Sequence, residues 1–152
     1  MYLCFRFFSK RTMTINEIQD EIIEEFEVFD DWMDKYQLLI DIGNSLEPLD
    51  EQYKTPQLQI EGCQSRVWVH AALVDGKVVL QAESDTVIVK GIVMLLLRVL
   101  SGRTPQQILD TDLYFIERIG LKDHLSATRS NGLVSMVKQI RNYALAFKLT
   151  AP

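Results

Sequence analysis

The residues of this chain that are best suited to nucleophilic chemistry are two cysteines and two histidines: Cys4, Cys63, His70 and His124. Cys63 and His70 lie close enough in sequence for a Cys–His pair, but His70 alternates with apolar neighbours and is predicted to face solvent from a strand. His124 is predicted to be a surface or capping residue. The sequence contains no Gly-rich phosphate loop and no H-E-x-x-H, G-x-S-x-G or C-x-x-C motif. A complete active site is therefore not expected.

A metal site is not expected either, because zinc or an iron–sulfur cluster usually takes about four nitrogen or sulfur ligands. The part of the chain that is predicted to fold contains one cysteine, Cys63, since Cys4 precedes it. We therefore predict that the chain holds no metal and no cofactor of its own.

Cys63 lies in a short polar stretch between two strand-like segments. Gly62 precedes it and permits unusual backbone angles, which could turn the thiol outward or inward. Gln64 and Ser65 follow it and could hydrogen-bond to position the loop or only satisfy its backbone. A free cysteine is also often a small buried hydrophobic residue. The residues alone leave a reactive thiol and a buried one equally open.

Two acidic amphipathic helices are predicted at the start of the domain. Thr14 and Glu17 form a capping box before a run of apolar residues at helical spacing. Asp30 or Asp31 caps the second helix, which is predicted to end near Gly43. Later in the chain, residues 87–100 are apolar on almost every side and predict a buried central helix, for which Ser84 or Asp85 is the expected cap. A capping box at 104–107 starts another helix, and a long helix ends the domain.

A β-hairpin is predicted between these helical regions. Residues 66–70 alternate in polarity, residues 77–81 form the returning strand, and Asp75-Gly76 is a strong two-residue turn between them. Residues 58–60 could add a third strand. The sequence therefore predicts an α+β fold in which a small three-stranded antiparallel sheet packs against several helices.

The composition is that of one globular domain, with 152 residues, 47% hydrophobic residues and a net charge of -5. We predict a domain over 14–150 and a disordered or non-native N-terminal extension over 1–13. No secretory signal or membrane-length segment is evident, which predicts a cytoplasmic protein. The acidic charge argues against nucleic-acid binding. Residues 14–51 hold 13 acidic residues and one base, which form either a solvated face or a docking face for a basic partner.

The stretch I-E-G-C-Q-S-R-V-W-V at 60–69 resembles the signature of the SufE family of sulfur-acceptor proteins. Four further stretches occur in the order found in that family. They are W-M-D-K-Y-Q-L-L-I-D-I-G at 32–43, S-D-T-V-I-V-K-G-I at 84–92, T-P-Q-Q-I-L at 104–109 and T-R-S-N-G-L at 128–133. The resemblance covers nearly the whole predicted domain and implies a SufE/IscU-like fold.

The resemblance implies that Cys63 accepts sulfur as a persulfide from a SufS-type cysteine desulfurase and stimulates that enzyme. The sulfur would pass to a SufBCD-type scaffold for iron–sulfur cluster assembly. Pyridoxal phosphate would belong to the partner, so this chain would be a carrier and not an enzyme by itself. Val67 and Trp68 are candidates for the wall of a thiol pocket, although Trp68 could equally be core. Arg129 could pair with a carboxylate of the fold or lie near the partner.

The acidic residue at 61 would raise the pKa of the Cys63 thiol if it lies close, so activation is expected inside the partner complex.

Other functions remain open. An iron–sulfur scaffold that holds a cluster between chains is one alternative, and an adaptor that docks through its acidic helices is another. The chain is expected to be a monomer or a weak homodimer.

Overall fold

The computed structural model describes residues 13–60 and 65–150 of the chain. The architecture is α+β, as predicted. The described elements, in chain order, are α1 Ile15–Glu27, α2 Trp32–Gly43, a short 3-10 helix Glu51–Tyr53, β1 Val67–Val74, β2 Lys77–Ser84, α3 Val87–Leu100, α4 Pro105–Asp110, α5 Tyr114–Arg118, α6 Leu121–His124 and α7 Ala127–Thr150. Residues 1–12 lie outside the described part, so the predicted extension over 1–13 stays a prediction.

The first two helices begin where their capping residues predict. Thr14 Oγ1 accepts a hydrogen bond from the Glu17 amide at 3.1 Å, and Glu17 Oε1 accepts one from the Thr14 amide at 3.3 Å, which completes the capping box. Asp31 caps α2 by accepting a hydrogen bond from the Met33 amide at 3.1 Å. The apolar stripe of α1 is buried. Both predicted helices are confirmed.

The hairpin turns at Asp75 and Gly76, as predicted. Both residues have positive φ angles, 51° and 78°, and this pair of angles is characteristic of a two-residue type I′ turn. The turn pairs Val74 with Lys77, and the antiparallel register continues without interruption to Val67 opposite Ser84.

The prediction of a third strand at 58–60 was wrong. In the described residues the sheet has two strands, and Gln59 forms only an isolated bridge with Trp68. The main-chain turn from Thr55 to Leu58 and the missing amide hydrogen of Pro56 prevent the pairing from extending backward along the chain. Residues 58–60 are therefore held against β1 by a single bridge, Gln59–Trp68, and not by a continuous strand.

The central helix α3 is confirmed as the buried centre of the fold. Its apolar residues contribute most of one side of the core, and α1, α2, β2 and α7 all pack against it. Arg98 on this helix pairs with two carboxylates of α1. Its Nη2 lies 2.7 Å from Glu25 Oε2 and 3.4 Å from Glu21 Oε1. In the described residues, no helix combines the length and hydropathy needed to cross a membrane.

Helices α2 and α3 approach until their main chains touch. A Cβ atom on Gly43 would lie 2.7 Å from the amide nitrogen of Gly91, and a Cβ atom on Gly91 would overlap the carbonyl oxygen of Leu39. Both positions therefore require glycine, because neither backbone can move aside in a close-packed interior.

We expect Gly91→Ala to destabilise the protein by about 1–3 kcal/mol or more, because the added methyl group forces two packed helices apart. Urea unfolding followed by circular dichroism measures this change. Val87→Ala is the control, since Val87 is exposed on the first turn of the same helix. An unchanged unfolding midpoint for Gly91→Ala would contradict the observed helix contact.

Candidate functional site

The candidate site is the segment that joins residues 58–60 to β1. Gly62, Cys63 and Gln64, three of the predicted site residues, lie outside the described residues, as does the acidic residue at 61. The two ends of the segment, Ile60 and Ser65, are described. The site is therefore defined by the contacts that hold these ends.

The first end is fixed by main-chain hydrogen bonds to β1. The Ile60 amide donates to the Val67 carbonyl at 2.8 Å, and the Val69 amide donates to the Leu58 carbonyl at 3.0 Å. These bonds enclose the Gln59–Trp68 bridge. Ile60 itself is buried at 4% exposure, so the chain is anchored in the core at the first end of the segment.

The second end is fixed by the residues between β2 and α3. Asp85 Oδ1 accepts a hydrogen bond from the Arg66 amide at 3.0 Å, and the Asp85 amide donates to the Arg66 carbonyl at 3.2 Å. Ser65 Oγ accepts a hydrogen bond from Thr86 Oγ1 at 2.7 Å. Ser65 therefore positions the end of the segment, which is one of the two roles that its sequence left open.

The expected helix cap at Ser84 or Asp85 was wrong. Thr86 is the N-cap residue of α3, and its side chain makes no capping hydrogen bond. Ser84 Oγ accepts from the Thr86 amide at 3.2 Å, before the helix begins. The Asp85 carboxylate instead accepts a hydrogen bond from the Arg66 amide, because the antiparallel register brings these two residues opposite each other. Asp85 is thus a link between the helix start and the candidate site.

Val67 and Trp68 lie on opposite faces of β1. Val67 has no exposed surface and belongs to the core, whereas Trp68 is half-buried on the outer face of the hairpin. Successive strand residues point to opposite sides of a sheet, so the structure does not bring these two side chains into one pocket wall.

Trp68 is covered on this outer face by an ion pair. Lys54 Nζ lies 5.9 Å from the centre of the Trp68 ring and 2.5 Å from Glu83 Oε2. It also contacts Glu51 Oε1 at 3.0 Å, and Glu83 Oε1 accepts a hydrogen bond from the Leu49 amide at 3.0 Å. The hydrogen bond from Lys54 lowers the pKa of Glu83, and the hydrogen bonds to Glu83 and Glu51 raise the pKa of Lys54.

His70 follows the same outer face but is not exposed as predicted. Its ring stacks on Tyr53, with the ring centres 3.7 Å apart. Its Nδ1 atom is buried and has no hydrogen-bond partner among the described residues. His124 is exposed, as predicted, and stacks on Trp32 with the ring centres 3.7 Å apart. Both histidines therefore pack against aromatic rings.

Arg129 is exposed in the first turn of α7, where its amide donates to Ser126 Oγ at 3.3 Å. Within residues 13–60 and 65–150, its side chain forms no ion pair with a carboxylate. The structure does not connect it to the described ends of the candidate segment. The same described ranges contain no cluster of three or more His, Cys, Asp or Glu side chains that could hold a metal ion.

Sequence reasoning missed Lys54, Glu83 and the role of Asp85. The last of these had a usable signal, because a two-residue turn at Asp75-Gly76 fixes the entire register and places Arg66 opposite Asp85. No comparable signal identifies Lys54. Lys54 lies in the connection between α2 and β1, which has no periodic sequence pattern, and only the tertiary fold brings it over Trp68.

Comparisons with known proteins place this geometry in context. A family model named SufE, described as an Fe-S metabolism associated domain, matches residues 20–144. An uncharacterized SufE-like protein from Synechocystis is 39% identical over 129 residues, which cover 85% of this chain and 81% of that protein. An uncharacterized SufE-like protein from Rhizobium etli is 39% identical over 130 residues, 82% of this chain and 88% of that protein.

A solved structure shares the fold. The solution structure of a hypothetical protein from Thermus thermophilus has a TM-score of 0.72 with 21% sequence identity, and the match covers 88% of this chain and 97% of that one. At this identity, the likeness concerns the fold alone.

We expect Asp85→Ala to speed amide hydrogen exchange at Arg66 roughly fivefold, because the amide loses a hydrogen bond whose net contribution is about 1 kcal/mol. Asp85→Asn keeps an oxygen at the same place and should change the exchange rate much less. Nuclear magnetic resonance of both variants measures this rate. Equal rates in the wild type and Asp85→Ala would show that the carboxylate does not hold the segment.

The ion pair over Trp68 predicts a pH-dependent stability. The folded state lowers the pKa of Glu83, so its contribution is complete above the ordinary glutamate pKa of about 4.3 and is lost as the pH falls through the lower folded value. We therefore expect Glu83→Gln to unfold at lower urea concentration than the wild type at pH ~7 and the difference to shrink in acid.

Glu47→Gln is the control for this measurement, because Glu47 is exposed and precedes the same segment. It should match the wild type at each pH. A Glu83→Gln difference that stays constant down to strong acid would contradict a role for the ionised carboxylate.

Proposed function

This chain belongs to the SufE family and has a role in Fe–S metabolism, and from that membership we propose that Cys63 accepts sulfur from a cysteine desulfurase. The observation that supports this most directly is the extent of the family match, 20–144, which contains the whole stretch from Ile60 to Val69 with Cys63 inside it. The protein is a carrier and an activator in this proposal and has no complete active site of its own.

The proposed partner is a SufS-type desulfurase that contains pyridoxal phosphate and forms a persulfide on its own cysteine. Family membership implies an interaction with a cysteine desulfurase, and the SufS type is the more specific proposal. The sulfur then passes to a SufBCD-type scaffold, and both steps are proposed to occur in the cytoplasm. Cys63 carries the sulfur only transiently, and the chain needs no cofactor for this step.

The transfer step is a thiol exchange. The thiol of Cys63 loses its proton, and the resulting thiolate attacks the outer sulfur of the partner's persulfide. A new sulfur–sulfur bond forms at Cys63 while the sulfur–sulfur bond of the partner breaks. The partner's cysteine leaves as a thiolate, so no external oxidant or reductant is needed. The product is a persulfide on Cys63.

The described ends of the segment support such a role through their rigidity. Ile60 is held to β1 by a main-chain hydrogen bond at 2.8 Å, and Arg66 is held to Asp85 at 3.0 Å and 3.2 Å. Four residues separate the described ends, Ile60 and Ser65. A reactive group between two anchors in a rigid scaffold can be presented to a partner without rearrangement of the core. The wider fold therefore serves as a platform for the segment.

We expect the wild type to gain the mass of one or more sulfur atoms after incubation with a SufS-type desulfurase and cysteine, and reductant to remove that mass. Cys63→Ser should gain none, because serine cannot form a persulfide. Intact-mass spectrometry measures the gain. Cys4→Ser is the matched control and should accept sulfur like the wild type.

Two results would contradict this proposal. Retention of full sulfur acceptance by Cys63→Ser would assign the acceptor to another residue. Full stimulation of the desulfurase by Cys63→Ser without any sulfur gain in the wild type would identify an adaptor that only docks.

A further inference from the structure

A polar cleft of about 450 Å³ lies directly beside the first anchor of the acceptor segment. One wall is formed by residues 56–60, and its last member is Ile60. The other wall is the exposed side of α7 between Ser135 and Asn142. Six polar side chains line it: Gln57, Gln59, Ser135, Lys138, Gln139 and Asn142.

The side chains of this cleft have unused hydrogen-bonding capacity. Within the described ranges 13–60 and 65–150, none of the six forms a side-chain hydrogen bond or an ion pair with another residue. Several other glutamines of the same chain form side-chain hydrogen bonds. The Gln19 amide group binds the Asp112 carbonyl, Gln37 binds Asp41, and Gln106 binds Asp110. The cleft therefore brings together four carboxamides and one ammonium group that have no partner among the described residues.

The chemistry of the lining selects a class of ligand. Each carboxamide carries both a donor and an acceptor, the combination that a peptide main chain presents in return. Among the described residues of the lining, Lys138 is the charged one, so this part of the cleft favours a group with negative charge. Small-molecule pockets are usually lined mainly by apolar side chains, whereas this cleft exposes more polar than apolar surface. An extended peptide segment with a carboxylate fits this lining.

The charge distribution of the chain also favours a negatively charged ligand at this cleft. Residues 121–150 hold five Lys or Arg and one acidic residue, Asp123, in a protein whose net charge is -5. The 13 acidic residues of 14–51 lie in α1, in α2, in the connection between these helices and in the stretch that follows α2. Five bases less one acid give residues 121–150, which include α7, a net charge of +4. This charge favours the approach of an acidic partner surface to the α7 side of the cleft.

A second groove adjoins the cleft across the ridge of α7. It has a volume of about 440 Å³ and shares Lys138 and Asn142 with the cleft. Its apolar lining includes Leu133, Val134 and Val137, and Val134 is 58% exposed. A partner that places a main-chain segment in the polar cleft can thus bury an apolar side chain on the other side of Lys138.

We infer that the polar cleft is the docking site for an extended, acidic segment of the cysteine desulfurase, with the peptide main chain on the carboxamides and a carboxylate on Lys138. The inference rests on the proposed function, because that function supplies the partner. Docking here brings the partner against Ile60, the anchor from which the acceptor segment begins. The side of α7 that carries Lys138, and not the acidic helices α1 and α2, is then the surface that meets the desulfurase.

The test is a calorimetric titration of the full chain with a SufS-type desulfurase, without cysteine, so that binding is measured apart from sulfur transfer. Lys138→Glu is expected to weaken binding at least tenfold. Lys148→Glu is the matched control, because it makes the same charge change on an exposed residue of the same helix outside both grooves. It should bind within about twofold of the wild type. Gln139→Ala keeps every charge and should still weaken binding severalfold.

Three results would overturn the inference. They are no binding by the wild type, equal binding by the wild type and Lys138→Glu, and an equal loss in Lys138→Glu and Lys148→Glu, which would indicate general charge attraction. A fourth would identify a second copy of the chain as the occupant. In that case Lys138→Glu would change the sedimentation of the protein alone and leave desulfurase binding intact.

The same materials separate this inference from the proposed function. Cys63→Ser should bind the desulfurase as tightly as the wild type, because the cleft is intact. If the wild type binds through Lys138 but gains no sulfur when cysteine is added, the sulfur-acceptor proposal fails and the docking site stands.

Discussion

The two-residue turn at Asp75 and Gly76 determines where the candidate segment, which joins Ile60 to Ser65, is anchored. Because Val74 must pair with Lys77, every later pair of the hairpin is fixed as far as Val67 opposite Ser84. The next position along the same register joins Arg66 to Asp85 through two hydrogen bonds. Helix α3 then begins at Val87, so the turn also directs the central helix into the core. A shift by one residue would move the buried side chains of β1 to the outer face and detach this anchor.

Electrostatics divides the molecule into two regions with different tasks. Part of the acidic charge near the N-terminus has a structural role, because Glu21 and Glu25 form ion pairs with Arg98, a charged residue of the largely apolar helix α3. Asp20 accepts a hydrogen bond from the Tyr114 hydroxyl at 2.7 Å, and burial together with this carboxylate raises the pKa of Tyr114 to about 12. These contacts join α1 to the rest of the fold. The cleft beside α7, in contrast, has polar side chains that form no hydrogen bond or ion pair with other described residues.

Local sequence signals predicted the elements well, because each depends on near neighbours. The capping box at Thr14, the turn at Asp75-Gly76 and the apolar run of α3 all specify structure within a few residues. The prediction of a third strand failed because Pro56 and the turn from Thr55 to Leu58 interrupt the pairing with β1. The site was only partly predictable for a similar reason. The signature around Cys63 predicts the functional segment, and this stays a prediction. The position of Lys54 over Trp68 and the cleft beside Ile60 arise from tertiary packing and have no local signal.

The two tryptophans of the chain have distinct surroundings. Trp32 stacks on the His124 ring and meets Tyr36 edge to face, with ring centres 5.4 Å apart. Trp68 bridges to Gln59 beside the candidate segment and lies beneath the Lys54 ammonium group. Indole emission is sensitive to nearby charge and to contact with water. Replacing Trp32 with phenylalanine would leave Trp68 as the single tryptophan, next to the described ends of the segment that contains Cys63. The protein therefore carries its own optical reporter for events at this segment.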